Sequence, residues 1–506
     1  VGEARGGLAA RALAVDTDEV MASEGAGDMA KGTGDAVVRA GMPHGFRGQV
    51  FRPGSSGYGE ARRIFNMRRA QDTPAFIARA ADAADVVRVM RHASEHDVPV
   101  AIRAGGHGVD GSSMPDGGLV LDVSALRAVA VDPATRRVRV GAGVLLGDLD
   151  TATQAHGLVV PSGTVSTTGV AGLTLGGGVG YLMRRLGATV DSLLGCDVVT
   201  VGGKQVHASE RENADLFWAL RGGGGNFGVV TAFEFQGHPL GPEVTGGPVI
   251  FPLDQAGEVL SKLRSYMTSA SRELAVIGAL TPCPPFPPVP ATLHGVPVLI
   301  LIVVHSGALA DAVPIIQKLA SFGRPAANLV APAPWVQVNR MLDVIAPYGR
   351  RVHTRGGYLS ELGDDVIATA CAWASNAPAP SAPGPSSVQN FWFLGGAVSE
   401  DFDEDSVAFS REGAKVFWEC VGQWDVPERD ATFTAWVDGV AEGLTPNMRA
   451  NGYVNLTTDR GPAWLRGLHG SERKFERLVA AKTAWDPGNL LRFNKNFEPA
   501  PRATVA

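Results

Sequence analysis

Cysteine is scarce in this chain. There are four, Cys196, Cys283, Cys371 and Cys420, scattered and without C-x-x-C spacing. That argues against a disulfide framework and a cysteine-based zinc site. No apolar run reaches the length of about 18 residues that marks a membrane-spanning helix. The first 44 residues lack a basic segment followed by a long apolar one. No export signal is read there, and a cytoplasmic protein is expected. Basic charge is not in excess: 45 Lys and Arg face 51 Asp and Glu, a net charge of −6. That balance argues against nucleic acid or an anionic membrane as the main partner. No long internal repeat is present.

What is present is an ordinary globular composition, 45% apolar and 19% charged, in 506 residues. This length fits about two or three domains. Residues 1–44 are rich in Gly, Ala and Asp and are expected to be a weakly ordered extension. From residue 45 to 240 helical and strand patterns mix. Tyr58 to Phe76 reads as a helix and an extended entry, and Ala83 to Asp97 as an amphipathic helix. Val98 to Ile102 reads as a buried strand, followed by further strands at 118–123, 137–143 and 229–235. Gly202-Gly203-Lys204 signals a hairpin between 197–201 and 205–208. After Pro239 glycine thins and proline rises, so a second, α+β domain is expected over 241–450. Within it, Ala377 to Ser386 reads as a surface loop. The segment 451–506, with a helix from Glu472 to Ala484, closes the chain.

Two literal motifs fail on context. Gly223 to Gly228 satisfies G-x-G-x-x-G, but it follows a helix and opens a strand. A dinucleotide turn needs the opposite order, so that the pyrophosphate meets a helix N-terminus. His92-Ala93-Ser94-Glu95-His96 matches the inverted zinc-protease pattern. Five residues match easily by chance, and rim histidines are expected there. No metal site is expected.

The strand at 98–102 breaks into Arg103-Ala104-Gly105-Gly106-His107-Gly108. Glycines at this density let a backbone turn sharply and bring its N–H groups close to a ligand. The histidine then sits where backbone meets ligand. Ser112 and Ser113 follow as small donors, and Gly169 to Gly180 forms a second glycine block. A large flat cofactor needs several such close-approaching segments.

The stretch 103–122, the block 169–180, the run Asp215 to Val230 and the tail from Tyr453 to Pro499 together resemble the berberine-bridge-enzyme-like FAD-linked oxidases. These belong to the vanillyl-alcohol-oxidase/p-cresol-methylhydroxylase flavoprotein superfamily. The resemblance spans about residues 45 to 500 and is looser from about 245 to 440. It implies an α+β fold: a two-subdomain FAD-binding domain, and a substrate domain whose antiparallel sheet covers the flavin. By motif position His107 resembles the histidine bonded to the flavin. Arg103, Ala104, Gly105, Gly106, Gly108, Ser112 and Ser113 resemble the pyrophosphate loop. Gly169, Gly172, Gly176, Gly177 and Gly178 resemble the strip along the flavin. Val230 and Asn494 resemble positions near the cofactor.

Two departures shape the expectations. Many relatives carry a second, cysteine-linked flavin bond at the position of Val165, and valine cannot attach. FAD held by a single bond through His107 is therefore expected. Many relatives end Tyr-x-Asn-Tyr with a tyrosine that serves as base, where this chain reads Tyr453-Val454-Asn455-Leu456. Tyr453, then Tyr358 or Glu361, are the expected candidates for the base. As a strand, 389–396 would turn Asn390 and Trp392 to one face. The resemblance implies oxidation of an alcohol or amine C–H of a natural product or sugar, with O₂ as acceptor and H₂O₂ released. The alternative is a flavin-dependent oxygenase or cyclase of polyketide-type secondary metabolism. The expected partners are a small-molecule substrate and O₂, with the chain a monomer or homodimer.

Overall fold

Parallel strands buried on both faces read as continuous apolar runs, and the first sheet shows why. The computed structural model describes residues 34–285, 289–379, 387–458 and 461–501. Its first sheet comprises β1 (Gln49–Phe51), β2 (Phe76–Arg79), β3 (Val100–Arg103) and β4 (Leu119–Asp122), in the order β1-β2-β4-β3. β4 is parallel to both neighbours and wholly buried. Between β2 and β3 runs α1 (Ala83–Glu95), capped by Asp82, whose carboxylate accepts the Asp85 N–H at 3.1 Å. Val86, Val89, Met90 and Ala93 form its buried stripe.

The second sheet holds β5 (Val129–Asp132), β6 (Arg137–Gly141), β7 (Leu193–Val199), β8 (Gln205–Ser209) and β9 (Val229–Gln236), ordered β5-β6-β9-β7-β8. The β7–β8 pair is the expected hairpin. Between the strands lie α2 (Leu146–Gln154), α3 (Val170–Leu175) and α4 (Ala214–Leu220). One core joins both sheets.

The expected extension differs in part. Residues 1–33 lie outside the described residues, but 34–40 form a helix whose Val37 is buried in that same core. An apolar side chain with a surface to cover orders the segment. Helix is also shorter than expected after Tyr58, covering only Tyr58–Ala61.

The second domain is one antiparallel sheet. Its long strands are β10 (Glu243–Pro252), β11 (Leu274–Pro282), β12 (Pro297–His305), β13 (Arg351–Leu359), β14 (Ser387–Phe393) and β15 (Val416–Trp424). They lie in the order β10-β12-β11-β14-β15-β13, with short edge pairings at Ala327–Asn328 and Ala331–Pro334. Helices α5 (Ala256–Met267), α6 (Asp364–Ala374) and α7 (Asp430–Leu444) cover one face. The other face turns to the first domain. Of the proline-rich loop expected at 377–386, residues 380–386 lie outside the described residues.

The tail returns to the first domain through α8 (Glu472–Trp485). Its anchor is Lys482, whose ammonium is fully buried against Asp486 at 2.7 Å. It also donates to the carbonyls of Asn226 and Leu491. Asn226 in turn accepts the Phe497 N–H and donates to the carbonyls of Gly223 and Lys495. The glycine turn after α4 and the end of the chain are thereby tied together. Among the described residues no helix is long and apolar enough to cross a membrane.

Candidate active site

A cleft of about 400 Å³ runs between the two domains. Its first wall is almost all backbone: Arg103 to Val109, Gly163 to Val165, Thr168, Gly169, Gly172 and Gly223 to Gly225. Two glycine segments meet there in direct contact. A Cβ on Gly105 would stand 2.5 Å from the Gly169 nitrogen, and one on Gly169 would stand 2.7 Å from the Gly105 nitrogen. Neither position tolerates a side chain, which is why both blocks are glycine. Arg103 is held beside the turn by Asp122, 2.9 Å away, and Ser112 donates its hydroxyl to Asp110 at 2.8 Å.

His107 is enclosed by aromatic rings. Its imidazole stacks on Phe65, centroids 4.1 Å apart and 12° from parallel, and meets the edge of Tyr348 at 5.5 Å. The Tyr348 hydroxyl lies 2.6 Å from the Gly105 carbonyl and 3.1 Å from that of Thr167, closing this corner. Burial pushes the His107 pKa down to about 4, so the ring is neutral at pH 7. Its Nε2 is buried and has no hydrogen-bond partner among the described residues. Such an atom in a cleft wall costs free energy unless a ligand satisfies it.

The opposite wall is side chain. β14 and β15 alternate, so Val388, Asn390 and Trp392 face the cleft with Glu419, Val421 and Gln423. Asn390 and Glu419 are directly paired across the strands. The Glu419 carboxylate accepts from Asn390 Nδ2 at 2.8 Å and from Trp392 Nε1 at 3.2 Å. Besides burial, those two donors are what acts on its ionisation among the described residues. Burial outweighs those two donors and pushes its pKa up to about 7.

Tyr453 also lines the cleft. Its phenol oxygen accepts from Asn455 Nδ2 at 3.0 Å. Burial is still the larger effect and holds its pKa at about 12.

The chain matches two family models, "FAD binding domain" over residues 74–209 and "Berberine and berberine like" over 452–498. It is 32% identical over 460 residues to an FAD-linked oxidoreductase of Dictyostelium discoideum, an alignment covering 89% of this chain and 95% of that protein. The chain belongs to the berberine-bridge-enzyme-like FAD-linked oxidoreductases. It is 38% identical to (R)-6-hydroxynicotine oxidase of Paenarthrobacter nicotinovorans over 205 residues, 40% of this chain and 44% of that protein. Among solved structures, 6-hydroxy-D-nicotine oxidase from Arthrobacter nicotinovorans superposes with a TM-score of 0.79 at 23% identity, covering 91% of this chain and 98% of that one. Berberine bridge enzyme in complex with (S)-reticuline gives 0.78 at 20% identity, covering 90% and 97%. The fold is that of the vanillyl-alcohol-oxidase/p-cresol-methylhydroxylase flavoproteins.

In this FAD-linked oxidoreductase the backbone wall fits the cofactor. The partnerless Nε2 of His107, the side-chain-free contact at Gly105 and Gly169, and the donors along 103–113 suit a long polar group that is touched by backbone. The structure brings Arg103, Ala104, Gly105, Gly106, His107, Gly108, Ser112, Ser113, Gly169, Gly172 and Asn494 to the cleft, together with Val165 and Tyr453. Gly176, Gly177 and Gly178 stand behind it. A Cβ there would strike Asn455, Phe409 and Thr189 respectively, so Gly176 admits the tail, Gly177 the second domain, and Gly178 a neighbouring turn of its own domain. Val230 is buried in β9 outside the cleft lining. Tyr358 is buried behind the wall, edge-on to Phe417, with its pKa driven well above 10 by burial. Glu361 is exposed, in a separate surface depression with residues 446–450.

Four site residues escape the sequence reading. Glu419 lies in a strand with no motif; only its cross-strand pairing to Asn390 reveals it. Phe65 and Tyr348 come from distant loops. His469 lines the cleft, its Nδ1–H donated to the Ala408 carbonyl at 2.9 Å and its Nε2 without a partner among the described residues. Burial pushes its pKa down to about 4. The rejected dinucleotide turn does follow a helix and open a strand, yet Gly223, Gly224 and Gly225 line the cleft as bare backbone.

Proposed function

We propose that the chain oxidises an alcohol or amine C–H of a small natural product or sugar, with Glu419 taking the proton. The observation that carries this is the Glu419 carboxyl, buried in the cleft wall across from His107, with its pKa raised to about 7. A carbon beside O–H or N–H gives up hydride readily only as that proton leaves, so a positioned base is needed. A group near pKa 7 is half deprotonated at neutral pH, whereas Tyr453 at about 12 stays protonated. Asn390 and Trp392 fix the carboxylate, and Tyr453 offers its hydroxyl proton to the substrate oxygen or nitrogen. Bound FAD supplies the hydride acceptor and passes the electrons on to O₂, giving H₂O₂.

His107 is the proposed covalent tether, and Val165 on the same wall leaves it as the single bond. Denatured protein should keep its flavin fluorescence on a gel, and His107→Ala should lose it. Release of all flavin by acid from the unaltered protein would refute the tether. The reaction itself is tested by anaerobic bleaching of the flavin against alcohols, amines, sugars and aromatic polyketides. Bleaching followed by one H₂O₂ per product supports the oxidase. Incorporation of ¹⁸O₂ into product would instead make the chain an oxygenase.

A further inference from the structure

The C-terminal end of α1 carries His92, Glu95 and His96, the run whose likeness to a zinc protease is dismissed on sequence alone. Spacing of three and four residues puts them on one helix face. One nitrogen or oxygen from each lies within 4.8 Å of the other two. The two imidazole centroids are 4.2 Å apart. Each ring has one nitrogen already engaged: His92 Nε2 with the Ala40 carbonyl at 3.1 Å, and His96 Nδ1 with the His92 carbonyl at 2.9 Å. A carbonyl only accepts, so these nitrogens carry the protons and donate. The remaining nitrogens, His92 Nδ1 and His96 Nε2, keep lone pairs. An imidazole whose other N–H is held by a backbone carbonyl is oriented as metal-bound histidines are. The helix C-terminus adds its negative end, which favours a cation.

We propose that His92, Glu95 and His96 bind one divalent transition ion of zinc type on the surface of the FAD domain, outside the cleft. Two imidazoles and a carboxylate are a zinc ligand set that leaves a fourth position to water. The hydrogen bond from His92 to Ala40 links the site to helix 34–40, so the ion braces that helix against the end of α1. β3 and the His107 turn follow directly. Binding to the folded chain alone stabilises it by mass action.

The test uses tag-free, FAD-loaded protein stripped with a chelator and titrated with Zn²⁺ by calorimetry. One Zn²⁺ per chain is expected, together with a rise in the unfolding midpoint. His96→Ala and His92→Ala should each weaken binding about tenfold or more, and Glu95→Gln should weaken it less. His207→Ala, which alters a histidine paired with Asp197 on another strand, should leave binding unchanged. Metal-free midpoints of the variants verify that each is folded. Absence of saturable one-to-one binding overturns the site. So does unchanged affinity in folded His96→Ala, or an equal loss in His207→Ala.

Discussion

The two walls of the cleft are made of different material. The cradle around His107 is backbone brought close by glycine, at Gly105 and Gly169 closer than any side chain allows. The sheet wall opposite is side chain on alternating strand positions, with Glu419 held by Asn390 and Trp392. Parts of the backbone wall are sterically fixed: at Gly105 and Gly169 a Cβ would strike the facing backbone. The side-chain wall carries its chemistry on alternating strand positions, where a substitution changes the cleft surface while the backbone pairing stays. The same division separates two kinds of prediction, those that remove the chemistry and those that loosen the cofactor.

The largest effect is expected at Glu419. Glu419→Gln keeps the shape and removes the base, so kcat should fall about 10²–10⁴-fold while flavin stays attached. In the unaltered protein the base works deprotonated. With its pKa at about 7, kcat/KM should rise with pH below that value and level off above it. A pH–rate series read by stopped-flow flavin reduction checks both. Loss of flavin in Glu419→Gln would erase the distinction between the walls.

Next in size is Lys482, on the cradle side. Lys482→Met leaves Asp486 buried without its cation, still accepting the Leu490 and Leu491 N–H groups. Breaking a buried pair in this way costs about 3–5 kcal/mol, to be read by denaturant unfolding. The tail and the Gly223–Gly225 turn should loosen and flavin incorporation should fall, while the midpoint of the pH–rate profile stays near 7. A shifted midpoint would show that the cradle also tunes the base.

What the sequence discloses follows the same line. The His107 turn, the glycine blocks, α1 and the β7–β8 hairpin were all legible, because turn chemistry and helical period are local. Asn390 and Trp392 were placed on one strand face by period two alone, and both reach the cleft. Glu419 was not legible, because its meaning lies in register with β14, a long-range pairing that no local pattern encodes. Tyr358 and Glu361 were drawn from a segment that resembles the family, but the first is packed behind the wall and the second faces solvent. Gly176 to Gly178 were legible as glycines whose neighbours were not: they face Asn455, Phe409 and Thr189. The helix at 34–40 was hidden for a like reason, since Val37 is meaningful only against a surface formed elsewhere.

The smallest expected effect sharpens the sheet wall alone. Asn390 donates to the charged form of Glu419, and that contact lowers the carboxyl pKa against the larger effect of burial. Asn390→Leu removes the donor and leaves the cleft drier, so both changes disfavour the carboxylate. The pKa must therefore rise, and the rate profile should move to higher pH by about one unit. A hydrogen bond to a charged group contributes about 1.5–3 kcal/mol, and one pKa unit corresponds to about 1.4 kcal/mol. Trp392 still donates at 3.2 Å and absorbs part of the loss. Above the new midpoint kcat should recover toward that of the unaltered protein, since the base itself is intact. A fall in the plateau with no shift would mean that Asn390 positions the substrate rather than the proton acceptor.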